Sequence, residues 1–488
     1  MGIVTSQSIR NTVITYAGFV IGAANALYMY PHFLGKTYYG LTAFLLSAAN
    51  IIMPLMAFGV HNTMVKFYST YKTEEEKSRF LTFMLFLPLV FVVPMAIFGY
   101  AFYDVIAARL AVKNPIIYNY VWLIPLIGLS MGYFEIFYAW VKVHMKSVFG
   151  NFIKEVFLRV LISIALYGVL YGWISVVQFV YVTVAIYFVI MLVMVYFALR
   201  VKMPTLSFKW PGDRRAVLIY SIFIILSGSV ATLLLDIDKV MLGHYINLDN
   251  VAFYSVAIFI ATVIAVPSRA MHQITYPITA KLMAENKHDE LNDLYKKTSI
   301  SLQIVGGYIL LGILVNIKSI YMLLPPEYGG GIFVVFTIGL SKYFDLILGN
   351  NNAIIFNSVY YRMVLFLGLF LGFAAVVLNM IFIPLYYING AAIATLIAIT
   401  LYSLSKLMFV VLRMKLFPFT RQTLYSIGIS LLTFAVFYYW DFGFHPMVNI
   451  ALKSALMTIF YGFLNYRFRL SAEVNRAFDD VVKRFARP

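Results

Sequence analysis

About fourteen apolar stretches, separated by short polar turns, decide what this chain can become. They fall at about 11–31, 40–61, 80–103, 119–140, 152–172, 174–199, 216–236, 251–273, 298–317, 331–353, 363–384, 390–412, 423–440 and 447–466. A helix needs about 20 apolar residues to cross the hydrocarbon core of a bilayer. Inside that core the backbone must satisfy its own hydrogen bonds, and the alternation of a membrane barrel is absent here. The stretches therefore read as helices, and the chain as an all-α integral membrane protein. Composition agrees: 62% of the 488 residues are hydrophobic, 12% are charged, and mean hydropathy is +0.87. A water-soluble domain carries about 25% charged residues. No stretch is long and charged enough to form a separate one.

A net charge of +17 is compatible with nucleic-acid binding, but the basic residues lie on turns between apolar runs, so no nucleic-acid partner is expected. With the N-terminus in the cytoplasm, the inner turns receive Lys66, Lys72, Lys77, Arg79, Lys142, Lys146 and Lys154. Arg200 to Arg215, Lys281 to Lys297, Lys406 to Arg421 and the basic tail follow on the same side. Roughly four in five basic residues fall inside, which supports an even number of spans and cytoplasmic termini. Met1 to Arg10 is short and polar, and no small-residue cleavage site follows, so 11–31 reads as a first span rather than a signal peptide. The absence of cysteine excludes disulfides and thiolate metal sites.

Two hydrophilic breaks stand out, at about 200–215 and 281–297. The first holds Pro204, Pro211 and Gly212 and divides the chain into two lobes. The second spaces Leu291 and Leu294 helically and is expected to lie along the membrane surface. The tail sets Val474, Phe478, Val481 and Phe485 on one helical face, with Ser471 as N-cap. The stretch from Phe33 to Glu76 is echoed by that from Ile246 to Glu290: an outside turn, an apolar span, then a charged inner segment. An even number of spans separates the two, which suggests parallel repeats around a cleft, though composition alone produces such echoes.

Four motifs in order carry a resemblance. They are YPHFLGKTYYG at 30–40, AFGVHNTMVKFYSTY at 57–71, LLLDIDKVMLGHYINLDNVAFYSVA at 233–257 and YMLLPPEYGGG at 321–331. Together they resemble the Wzx-type polysaccharide flippase branch of the multidrug/oligosaccharidyl-lipid/polysaccharide exporter superfamily. The resemblance implies two pseudo-symmetric six-helix bundles plus two C-terminal helices. The corresponding division is 1–200, a linker 201–215, 216–414, 415–470, and an amphipathic cytoplasmic tail 471–488. It also implies movement of polyprenyl-diphosphate-linked oligosaccharide across the bacterial inner membrane by alternating access, for O-antigen or exopolysaccharide assembly. Membrane lipids are implied as surroundings, with polysaccharide polymerase and transferases as partners. Relatives often carry a basic residue in the first helix, where this chain offers only Asn11 and Asn25.

A flippase must carry a charged head group past hydrocarbon, so ionisable residues inside spans, costing about 2.5–3.5 kcal/mol each on insertion scales, call for an explanation. The cationic candidates for a diphosphate are Arg269, Lys342, Lys66 and Arg159. Intraprotein pairing is the competing explanation, of Lys342 with Asp345 and of Arg159 with Glu155. Glu135, Asp236, Asp238 and Asp345 are candidates for coupling to a proton or sodium gradient; Asp236 has Lys239 at i+3 as a local alternative. His61 suits a gate or a cap near Gly59. Asn25 and Asn351 are candidate sugar contacts, against the alternative of bonding neighbouring helices.

No cofactor, metal or catalytic residue is expected. The second reading is an ion-coupled multidrug or small-molecule antiporter of the same superfamily. A third, from another class, is a membrane glycosyltransferase or polymerase, with Asp236-Ile237-Asp238 imitating a metal motif.

Overall fold

The computed structural model describes residues 3–203, 213–476 and 479. Most of the expected linker 201–215 and of the tail 471–488, including Phe478, Val481 and Phe485, lies outside the described residues. Every regular element among the described residues is helical, and all fourteen apolar stretches fall on helix. Nine helical stretches there are long and apolar enough to cross a membrane. Two of them, Arg10–Met56 and Arg362–Met414, each hold two of the expected spans. The chain divides into two compact units, Met1–Ser255 and Val256–Pro488.

In unit 1, α1 (Ile3–Ala24) runs into a π-helix at Asn25–Leu34. Pro31 lies in that wide winding, where its missing N–H and its ring would break an α-helix; the His32 Nδ1 meets the Tyr28 carbonyl at 2.8 Å. Next come α2 (Gly35–Met56), α3 (Val60–Phe67), α4 (Glu74–Ala101) and α5 (Tyr103–Leu110). Gly59 separates α2 from α3 with φ +64°, and an added Cβ there would stand 2.5 Å from the Ser221 carbonyl. Helix α4 starts where Thr73 and Glu76 form a capping box. Beyond α6 (Leu123–Val143), the fifth stretch is α7 (Ser147–Phe152), a π-turn at Ile153–Phe157, and α8 (Leu158–Leu170). Helix α9 (Val176–Val201) opens on the capping box of Ser175 and Gln178, and α10 (Arg214–Tyr245) follows. The core buries Phe80, Phe134, Trp140 and Met194. Val90, Val93 and Ile97 stay exposed on α4, as a face turned to lipid requires.

Helix α11 (Leu248–Thr262) carries the chain into unit 2. There α12 (Val266–Ala284), α13 (His288–Tyr321), α14 (Ile332–Leu346), α15 (Asn351–Phe356), α16 (Tyr361–Met414), α17 (Arg421–Tyr438) and α18 (Pro446–Arg467) follow. The expected surface helix at 281–297 is not separate. No breaker follows Lys297, and α13 is one rod from His288, about 51 Å long at the usual rise per residue. Leu291 and Tyr295 bury against Ile354, Val364, Val410 and Leu416, which holds its first turns in the body of the unit. Helix α16 folds back on itself at Tyr387, whose φ is 54°. An added Cβ on Gly390 would lie 1.9 Å from the Phe382 carbonyl, so only glycine fits that corner.

Candidate functional site

Unit 2 encloses a polar cavity of about 110 Å³, lined by Ser268 and His272 of α12, Lys342 and Asp345 of α14, Asn351 and Asn352 of α15, and Lys406 of α16. Three helix properties place these groups. Lys342 and Asp345 stand one turn apart on α14, and α14 ends at Leu346. Gly349, with φ +58°, turns the chain into α15 and packs on Thr298 and Ser299 of α13. Lys406 then reaches in from α16, donating to Asp345 Oδ1 at 2.9 Å and Asn352 Oδ1 at 3.2 Å. Asp345 is thus ion-paired across the unit with Lys406, in addition to having Lys342 one turn away, and Ser403 adds a hydrogen bond to the same oxygen at 3.0 Å. The Asn351 side chain donates to the Tyr295 hydroxyl at 2.6 Å, and its Oδ1 is buried with no described partner.

A groove of about 790 Å³ adjoins the cavity. Phe344, Leu404, Leu424 and Ile427 make its wall apolar, Arg421 also lines it, and Leu348 lines both spaces. The unit thus sets a cationic pocket beside a hydrocarbon-like surface.

Unit 1 holds a second set of charges. Glu135 of α6 is ion-paired with Lys154 of the π-turn, so it does not stand alone in an apolar stretch. Arg159 donates to the Glu155 carbonyl and carboxylate, both at 2.8 Å, the i−4 pairing expected from sequence. Asn25 engages both ends of its amide, giving to the Arg159 carbonyl at 3.0 Å and accepting from Ser163 at 2.7 Å. Asp236 accepts from Ser47 at 2.7 Å and pairs with Lys239 at 3.1 Å, while Asp238 accepts from Tyr254 at 2.5 Å. The two aspartates accept from different donors in these contacts. Lys66 is exposed, with its ammonium 3.8 Å from the Tyr220 ring centre. His61 follows Gly59 without capping it, and its Nδ1 is buried with no described partner. Arg269 of α12 is exposed and makes no ion pair with a described residue.

The structure therefore brings Lys342, Asp345 and Asn351 together and leaves Arg269 outside that cavity's lining. Lys154, Lys406 and His272 were missed by sequence reasoning. Both lysines lie inside apolar stretches, 152–172 and 390–412, and sorting basic residues to the nearest turn concealed them.

The family described as "Polysaccharide biosynthesis protein" matches residues 8–283. No curated protein matches the chain by sequence. Among solved structures, the lipid II flippase MurJ in an inward closed conformation superposes with a TM-score of 0.74 at 13% identity, covering 95% of this chain and 100% of that one. An inward-facing multidrug resistance MATE family transporter of the MOP superfamily gives 0.65 at 15% identity, covering 83% and 98%. A MOP superfamily transporter from Pyrococcus furiosus gives 0.54 at 15% identity, covering 84% and 95%. At these identities the likeness carries the fold alone, and that fold is the one these membrane transporters share.

Proposed function

The chain belongs to the polysaccharide biosynthesis protein family, and from that premise we propose that it is a flippase for polyprenyl-diphosphate-linked oligosaccharide. It carries this lipid across the bacterial inner membrane by alternating access, with both termini in the cytoplasm. The glycan then serves cell-surface polysaccharide assembly by polymerase and transferase partners.

The observation that carries the reading is the cationic cavity beside the apolar groove, joined at Leu348. A lipid diphosphate needs both at once, a place for negative charge and a place for its chain. Lys342 and Lys406 against the single carboxylate of Asp345 leave the cavity with an excess of positive charge. The orphaned Asn351 Oδ1 offers an acceptor to a sugar hydroxyl. Arg269 supports the reading from outside the cavity. An exposed guanidinium in an apolar segment belongs in water or against an anion rather than in lipid, and its fork suits a diphosphate.

Coupling to a proton gradient is part of the proposal. Glu135, Asp236, Asp238 and Asp345 each accept from a named donor, and protonation of any one weakens that contact. A second reading, the antiporter, draws support from the likeness to the multidrug transporter. That likeness covers 83% of this chain, whereas the flippase covers 95%.

The test is reconstitution in liposomes with a fluorescent polyprenyl-diphosphate sugar. Wild type should translocate it, and Arg269→Ala and Lys342→Ala should each slow the rate about tenfold, the loss of roughly one charge-assisted contact. Expulsion of an organic cation on an ion gradient, without sugar-lipid movement, would establish the antiporter instead. Glycosyl transfer by the pure protein would make it an enzyme.

A further inference from the structure

Lys406 is a lysine with almost no surface: 1% of its side chain is accessible, against 44% for its partner Asp345. Its ammonium has given up water for three groups of this chain. Asp345 Oδ1 lies at 2.9 Å, Asn352 Oδ1 at 3.2 Å, and the centre of the Tyr402 ring at 4.2 Å. Ser403 bonds the same carboxylate oxygen at 3.0 Å and holds it in place. A carboxylate, an amide oxygen, a nearby hydroxyl and a ring face are what proteins offer a dehydrated monovalent cation.

We propose that Lys406 is a tethered cation, filling beside Asp345 the place that a sodium or potassium ion would otherwise take. The lysine stem descends from α16, so the charge cannot leave, whereas a free ion exchanges with solvent. The accessible edge of Asp345 faces the cavity, but a metal ion approaching it meets the ammonium groups of Lys342 and Lys406 and only one carboxylate. Unit 2 therefore holds its carboxylate neutralised in every salt and draws nothing from a sodium gradient at this position. A lysine tether also joins α16 to α14 and α15 whatever the salt, where an exchangeable ion would join them only when bound.

This inference does not depend on what the protein transports, and its test reads stability rather than transport. Three purified chains are melted in detergent in sodium, ammonium or choline chloride at one ionic strength: wild type, K342A/K406A, and K342A/K406A/D345N. Lys342 is removed with Lys406 so that the neighbouring ammonium cannot swing across. Wild type should melt at the same temperature in all three salts. The double variant should gain a saturable rise in melting temperature with ammonium or sodium over choline, and the triple variant should lose that gain. A folded double variant indifferent to the cation would overturn the proposal, as would its loss in every salt, since an added ion should then restore it. A sodium-dependent rise in wild type that the triple variant lacks would overturn it as well.

Discussion

Arg159 lies flat against Gly18: a Cβ added to that glycine would stand 2.6 Å from the guanidinium Nη1 and 2.2 Å from the Glu155 carbonyl. Gly22, one turn on, makes the same allowance for Nε at 2.9 Å. The first helix thus offers a glycine face, and α8 and the π-turn before it fill that face with a guanidinium and a backbone carbonyl.

Gly18→Ala should therefore destabilise unit 1, although alanine favours helix. The carbonyl is backbone and cannot step aside, so overpacking of about 1–3 kcal/mol outweighs the roughly 1 kcal/mol gained in propensity. Thermal melts in detergent should show a lower midpoint. A midpoint equal to wild type would mean that the helices separate more easily than this contact implies.

The pair of Lys406 and Asp345 should respond unequally to loss of either member. Asp345→Asn strands an ammonium that is 1% accessible, and breaking a buried pair in this way costs about 3–5 kcal/mol. Lys406→Met leaves a carboxylate that is 44% accessible and partly hydrated, so its cost should be about half as large. The ordering of the two melting midpoints checks this, and the reverse order would refute it.

Asn114→Ala should loosen the turn between α10 and α11. The asparagine amide donates to the carbonyls of Gly243 at 2.7 Å and Ile246 at 2.8 Å and accepts from the Leu248 N–H at 3.0 Å. Removing it leaves buried backbone groups unpaired, at about 1–3 kcal/mol. Faster hydrogen exchange over 243–249, with the rest of unit 1 unchanged, is the expected result.

Tyr71 donates a hydrogen bond to Asp213 at 2.5 Å, between segments that leave the membrane. Burial, and then the Asp213 carboxylate, push its phenol above the ordinary value near 10. A raised value means that the stabilisation is complete below the unfolded phenol's pKa and is lost as pH climbs through the folded one. The gap in melting temperature between wild type and Tyr71→Phe should stay constant from about pH 6 to 9 and narrow above about pH 10. A gap that widens in alkali would exclude the bond as drawn.

The spans were legible because bilayer thickness sets a length that apolar runs must meet, and hydrocarbon leaves the backbone no choice but helix. What escaped were the departures from that rule. Polar residues between Lys287 and Lys297 resemble a surface segment, yet α13 runs through them because Leu291 and Tyr295 find a buried face farther along the chain. Lys406 looked like an inner-turn residue because charge in a span is costly, and its payer, Asp345, lies 61 positions away. The pairing of Arg159 with Glu155 and of Asp236 with Lys239 was visible, since both stand within one helical turn. Contacts of that range can be read from spacing; those that join separate helices need the fold.

The two wide-wound stretches of unit 1, Asn25–Leu34 and Ile153–Phe157, each carry a surplus residue relative to ordinary winding. Dropping one residue from either would tighten it and rotate everything beyond by about 100°. Asn25 begins the first stretch, and Lys154 and Glu155 sit within the second, so such a change would re-aim a whole span rather than a single side chain. A scan of single-codon deletions, read by the sugar-lipid translocation proposed above, should find these two windows far more sensitive than neighbouring turns. Length, not only chemistry, is thus a variable through which this seam can be retuned.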